Sequence, residues 1–218
     1  MLIAIVPAYN ESSMIRGVVK SLLPHVDKVV VVDDASTDDT AMHARAVGAM
    51  VLTHPINLGQ GAALETGQSY ARMIHADSVL HFDGDGQFDT ADIVQAKKIL
   101  EEGVDVVLGS RFLGVSSHIP WFKRKIILPI ARLVNYLFTG IKLTDAHNGF
   151  RMLGRRGLEH IKITHNRMSH ATEILSLLKK NNLIYKEIPV RVTYHEYGQK
   201  VSGGLTIIKD LIIGKIIK

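Results

Sequence analysis

The sequence predicts an α/β fold, a mostly parallel sheet with helices on both faces. Two observations carry that expectation. Five apolar runs lack polar alternation, as strands buried on both faces do, and each precedes or follows a helix-patterned segment. Polar clusters sit just beyond the ends of these runs, the side on which such sheets bind ligands.

Leu2 to Val6 is the first run and stops at Pro7. Asn10 is placed to cap a helix over about 11–23. Lys28 to Val32 is the second strand and ends in Asp33-Asp34, with a helix over about 40–47 after it. Val51 to Thr53 is a short third strand. The glycine-bearing stretch Asn57 to Gly61 leads into a helix reaching about Ile74. Val79 to Phe82 is the fourth strand. Asp89 or Thr90 caps a helix to about Glu101, and Val104 to Leu108 is the fifth strand. The pattern weakens after about Arg111. Helices are expected near 128–139 and 168–181, and strands near 183–188 and 190–194. Without a linker rich in Pro, Gly or Ser, residues 1–204 read as one domain and 205–218 as an apolar, basic tail.

Composition narrows the function classes. No cysteine is present, which excludes disulfides, thiolate metal sites and cysteine nucleophiles. Met1 leads directly into a strand-like run with no basic-then-apolar leader, so a cytoplasmic location is expected. The net charge of +5 favours anionic partners such as nucleotides, lipid phosphates or an acidic membrane surface. Nucleic acid is not expected, because aromatic residues make up only 6% and none interleave with a basic run.

Asp83-Gly84-Asp85-Gly86-Gln87 leaves the fourth strand end. Two carboxylates there can share one hard divalent cation, Mg²⁺ or Mn²⁺. A solvated acidic turn is the plainer reading of the same residues. Tyr9 could stack on a base and Glu11 could accept from a base or ribose, where a strand-end proline and a helix cap are the alternative. Asp33-Asp34 offers a carboxylate to a base N–H or ribose hydroxyl, while Asp38 or Asp39 caps a helix. The amides of the 57–61 loop could meet phosphate or ribose, although the loop lacks both dinucleotide and P-loop spacing.

These motifs together resemble glycosyltransferase family 2, of the GT-A fold. The resemblance rests on Val6 to Glu11, Val32 to Asp38, Asn57 to Gly61, Asp83 to Gln87 and Gly109-Ser110-Arg111. Thr144 to Arg151 is similar to the acceptor-side motif of polyprenyl- or dolichyl-phosphate sugar transferases. The resemblance implies a UDP- or GDP-sugar donor, a divalent metal and inversion at the transferred sugar. Pro7, Ala8, Tyr9, Glu11, Asp34 and Gly61 would then serve the donor nucleotide. Asp83, Asp85 and Gln87 would serve metal and diphosphate. Arg111 and Arg124 would face the sugar or the acceptor phosphate, with Arg132 and Arg151 also on the acceptor side.

Asp145 has two candidate roles. With a lipid-phosphate acceptor it would orient Arg124 or Arg151; with a hydroxyl acceptor it would be the base. A hydroxyl acceptor in glycan assembly is the alternative within the family. A sugar-1-phosphate nucleotidyltransferase is the alternative outside it, but Pro7 to Glu11 stands where such enzymes carry a basic, glycine-rich loop. The segment 123–138 reads as a helix resting on a membrane with cations toward lipid phosphate, or as a core-packed helix. The tail, too short to span a bilayer, fits a peripheral membrane contact or a homodimer contact. His165 or His170 could add a metal ligand, and the loop 194–204 is expected to close over donor or acceptor.

Overall fold

The structure, a computed structural model, describes residues 1–113, 136, 140–146 and 148–193. Strand β1 (Leu2–Ala8) is buried at every position, and β2 (Lys28–Asp33) at all but its first. Alternate residues of these two strands feed two different cores. Ala4, Val6, Val29 and Val31 face one, and Ile3, Ile5, Val30 and Val32 face the other. Such strands need helices on both sides.

The first core is closed by α1 (Ile15–Leu22), α2 (Thr40–Ala46) and α4 (Asp92–Glu101), through Val19, Ala44 and Ile93 among others. The second is closed by α3 (Gln60–Met73), α5 (Arg155–His160) and α6 (His170–Lys180), through Leu64, Leu158 and Ile174. With β3 (Met50–Thr53), β4 (Ser78–His81), β5 (Val106–Ser110), β6 (Arg151–Gly154) and β7 (Tyr185–Pro189), the described strands form one sheet. Its order is β3-β2-β1-β4-β6-β5-β7, and only β6 runs antiparallel to its neighbours.

The structure departs from the sequence reading in several places. Strand β6 and helix α5 were not expected, since a four-residue strand flanked by arginines carries little pattern. Helix α1 starts at Ile15, four residues later than expected, because Glu11 to Met14 form turns. Asn10 does not cap it: its φ is 57°, and its Oδ1 accepts the Thr37 N–H at 2.9 Å. Residues 190–193 form no strand; Val192 makes an isolated bridge to Phe88. The expected helix over 128–139 (apart from residue 136), Arg124, Arg132, the loop 194–204 and the tail 205–218 lie outside the described residues.

Candidate active site

Because β1, β2 and β4 run parallel, the segments that follow them emerge on one rim. Pro7, Ala8, Tyr9 and Glu11 leave β1, Asp34 leaves β2, and Asp83, Asp85 and Gln87 follow β4. All of them line one cavity of about 650 Å³. Arg111 from the end of β5 and Arg151 of β6 also line it.

The acidic wall is electrostatically unbalanced. Burial and the neighbouring Asp85 push the Asp83 carboxyl up to about 6, despite Arg151, Arg111 and the Gln60 amide that donates to its Oδ1 at 2.8 Å. Burial, Asp85 and Asp38 raise Glu11 as well. Crowded carboxylates of this kind are relieved by a hard cation with oxygen ligands. No cluster of three or more acidic or histidine side chains suited to a metal occurs among the described residues. A divalent ion held by Asp83 and Asp85 would take its remaining oxygens from substrate and water, as Mg²⁺ commonly does. Gly149 makes room for this arrangement. A Cβ there would lie 2.6 Å from Asp83 Cγ and 2.8 Å from Oδ1, and closer still to Oδ2.

Asp34 is 3% exposed, and its carboxylate is already engaged. Oδ1 accepts from His54 Nδ1 at 2.7 Å and the Leu58 N–H at 2.9 Å; Oδ2 accepts from the Gly59 N–H at 2.7 Å. This narrows the expectation for the 57–61 loop: its amides at Leu58 and Gly59 hold Asp34, and the following Ala62 N–H donates to the Asn166 carbonyl, so these three are engaged within the protein. Gly61 does not line the cavity. A Cβ there would lie 2.9 Å from the His170 Cβ and 3.1 Å from the Asn166 carbonyl carbon, so its small size serves close packing.

Asp145 pairs with Arg111, where the sequence reading had it orient Arg124 or Arg151; Arg124 lies outside the described residues. Nε donates to Oδ2 at 2.7 Å and Nη2 to Oδ1 at 2.8 Å, a two-pronged contact, and the Arg111 N–H adds a third bond to Oδ2. Asn148 donates to Oδ2 at 3.3 Å. Burial would raise the Asp145 carboxyl, but the hydrogen bonds and charge of Arg111, aided by Asn148, outweigh it and hold the carboxyl below its ordinary value. Glu187 of β7 fixes the same loop. Its carboxylate accepts the Thr144 N–H, the Thr144 hydroxyl at 2.8 Å and the Asp145 N–H at 3.2 Å.

Arg151 is 2% exposed and sits across the β4–β6 ladder from His81. Burial lowers its pKa, and the charges of Asp83 and Asp145 pull it back up. His81 lies well below its ordinary value through burial, Arg151 and His170, so it adds no charge beneath the site. Of the two histidines considered as metal ligands, His170 lines the cavity, with Nδ1 2.8 Å from the Arg167 carbonyl, and His165 does not line it. The sequence reading missed His54, Gln60, Gly149 and Glu187. His54 follows β3 on the binding rim and was findable by that rule, whereas nothing local marks Glu187.

Residues 3–162 match the family model described as Glycosyl transferase family 2. An uncharacterised protein of Methanocaldococcus jannaschii is 34% identical over 222 residues, 97% of this chain and 91% of that protein. The UDP-N-acetylglucosamine–dolichyl-phosphate N-acetylglucosaminyltransferase of Methanococcus voltae is 29% identical over 241 residues, 98% and 96% of the two chains. The crystal structure of glucosyl-3-phosphoglycerate synthase from Mycobacterium tuberculosis, with Mn²⁺, UDP and glucosyl-3-phosphoglycerate, superposes with a TM-score of 0.74 at 18% identity. It covers 97% of this chain and 77% of its own. By its matched family model and the GT-A arrangement of its sheet, the chain belongs to glycosyl transferase family 2 and is a glycosyltransferase.

Proposed function

We propose that the protein moves a sugar from a nucleoside-diphosphate-sugar to the phosphate of a polyprenyl or dolichyl phosphate, inverting the anomeric carbon. The observation that carries this reading is the state of Asp145. Both of its oxygens accept from the Arg111 guanidinium, Oδ2 from Asn148 as well, and its proton affinity is depressed, so it is a poor base. A phosphate acceptor is already anionic and needs none. The Methanococcus voltae relative, named for a dolichyl-phosphate acceptor, supports the same choice.

Tyr9, with Pro7 and Ala8, offers a half-exposed surface for the base, and Glu11 offers an acceptor to ribose. Asp83 and Asp85, with Gln87, would hold Mg²⁺ or Mn²⁺, which when bound stabilises negative charge on the departing diphosphate. Arg111, clamped by Asp145, presents a fixed cation to the sugar or the incoming phosphate. Arg151 adds charge from the cavity lining. The acceptor phosphate oxygen attacks the anomeric carbon from the face opposite the diphosphate. As that bond forms, the bond to the β-phosphate oxygen breaks and nucleoside diphosphate leaves. Arg124 and Arg132 are proposed to meet the acceptor from outside the described residues. The lipid would be met at a membrane surface; among the described residues no helix is long and apolar enough to cross one.

The test is release of nucleoside diphosphate from a panel of UDP- and GDP-sugars with Mn²⁺, with and without a short polyprenyl phosphate. Release that needs the lipid phosphate and is lost in Asp85→Ala is expected. Release that needs a sugar hydroxyl acceptor instead would overturn the reading.

A further inference from the structure

We infer that His54 sets the base preference of the donor site, by leaving Asp34 a single acceptor position and so favouring a uracil-type imide over guanine. The inference rests on the proposed donor reading, in which the base meets Asp34.

A carboxylate offers roughly four acceptor positions, two on each oxygen. At Asp34 three are filled. Oδ1 carries both the His54 ring N–H and the Leu58 amide, and Oδ2 carries the Gly59 amide. A carboxylate can only accept, so Nδ1 of His54 bears the hydrogen. One position remains, on Oδ2, in a residue that lines the cavity. Guanine presents two adjacent N–H donors, from N1 and the 2-amino group, and a carboxylate grips them with one position on each oxygen. Here Oδ1 has none left. Uracil and thymine present one imide N–H, which the remaining position satisfies. Cytosine and adenine set a ring lone pair beside their amino group, which a carboxylate repels.

His54 is fixed well enough to enforce this. Its ring is nearly buried, its Nε2 is 2.9 Å from the Thr66 hydroxyl on α3, and its backbone N–H donates to the Asp33 carbonyl at 2.9 Å. It is a positioning residue, acting on the base only through Asp34.

The experiment is calorimetric binding of UDP, dTDP, GDP, CDP and ADP, each with Mn²⁺, to the full chain and to three variants. The wild type is expected to hold UDP or dTDP at least roughly tenfold tighter than GDP, since unmatched polar groups carry most of such discrimination. UDP against dTDP separates uracil from thymine. His54→Ala opens a second position on Oδ1 and is expected to bring the UDP:GDP ratio toward unity. His54→Asn restores a side-chain N–H near the Nδ1 position and should keep the preference. Thr66→Val removes only the outer anchor and should weaken the preference less. A wild type that holds GDP as tightly as UDP overturns the inference, as does an unchanged ratio in both His54→Ala and Thr66→Val. A wild type that binds no nucleotide overturns the donor reading and this inference with it.

Discussion

Gly149→Ala tests the placement of Asp83 without replacing any residue proposed to meet a ligand. The added Cβ would start 2.6 Å from Asp83 Cγ and 2.8 Å from Oδ1. Ordinary contact needs about 3.5 Å, so the carboxylate or the 148–149 turn must retreat by on the order of 1 Å. Asp83 is the side chain that can give way, but it is held by Gln60 and would leave the position it shares with Asp85. A misplacement of this size costs about 10²-fold in rate where geometry matters. Steady-state release of nucleoside diphosphate, with Mn²⁺ titrated at fixed donor, reads the effect. We expect the rate to fall roughly 10²-fold and the Mn²⁺ requirement to rise, with circular dichroism unchanged. A folded Gly149→Ala protein with wild-type rate and Mn²⁺ requirement would refute the reasoning.

Three further outcomes are expected. In the metal-free protein the raised Asp83 carboxyl makes the folded state bind a proton that the unfolded chain has released. Stability therefore falls as pH rises from about 4 through 6, by at most about 3 kcal/mol from this group. Urea denaturation in EDTA should show the loss in wild type but not in Asp83→Asn, and Mn²⁺ at neutral pH should reverse it. Glu187→Gln leaves the Thr144 and Asp145 donors short of a carboxylate and should cost about 1–3 kcal/mol in the same assay. Asp145→Asn should slow transfer to lipid phosphate, because Arg111 loses its clamp, yet leave the shape of the pH–rate profile unchanged. Loss of one limb of that profile would make Asp145 a base.

The parallel half of the fold was legible because its strands are buried on both faces. Val29 to Val32 carries no polar alternation, and the segment after each such strand falls on one rim. That rule alone brings Tyr9, Asp34, Asp83 and Asp85 to one rim. It could not supply β6, whose four residues lie between polar turns and a helix that itself begins with two arginines. Nor could it pair Asp145 with Arg111, since their contact depends on β5 lying beside the unforeseen β6. The loop 57–61 was only partly legible for a different reason. Glycine-rich loops before helices often bind phosphate through their amides, but here Asp34 takes those of Leu58 and Gly59 from inside the protein.

The central claim is an acceptor that arrives already charged. Transfer of radiolabelled sugar into an organic-extractable product should be compared for a short polyprenyl phosphate and the matching polyprenol, with the donor that supports turnover. The account predicts label in lipid with the phosphate and none above background with the alcohol. Equal or faster transfer to the alcohol would contradict it, since a hydroxyl needs a base and the Asp145 carboxylate is bound to Arg111.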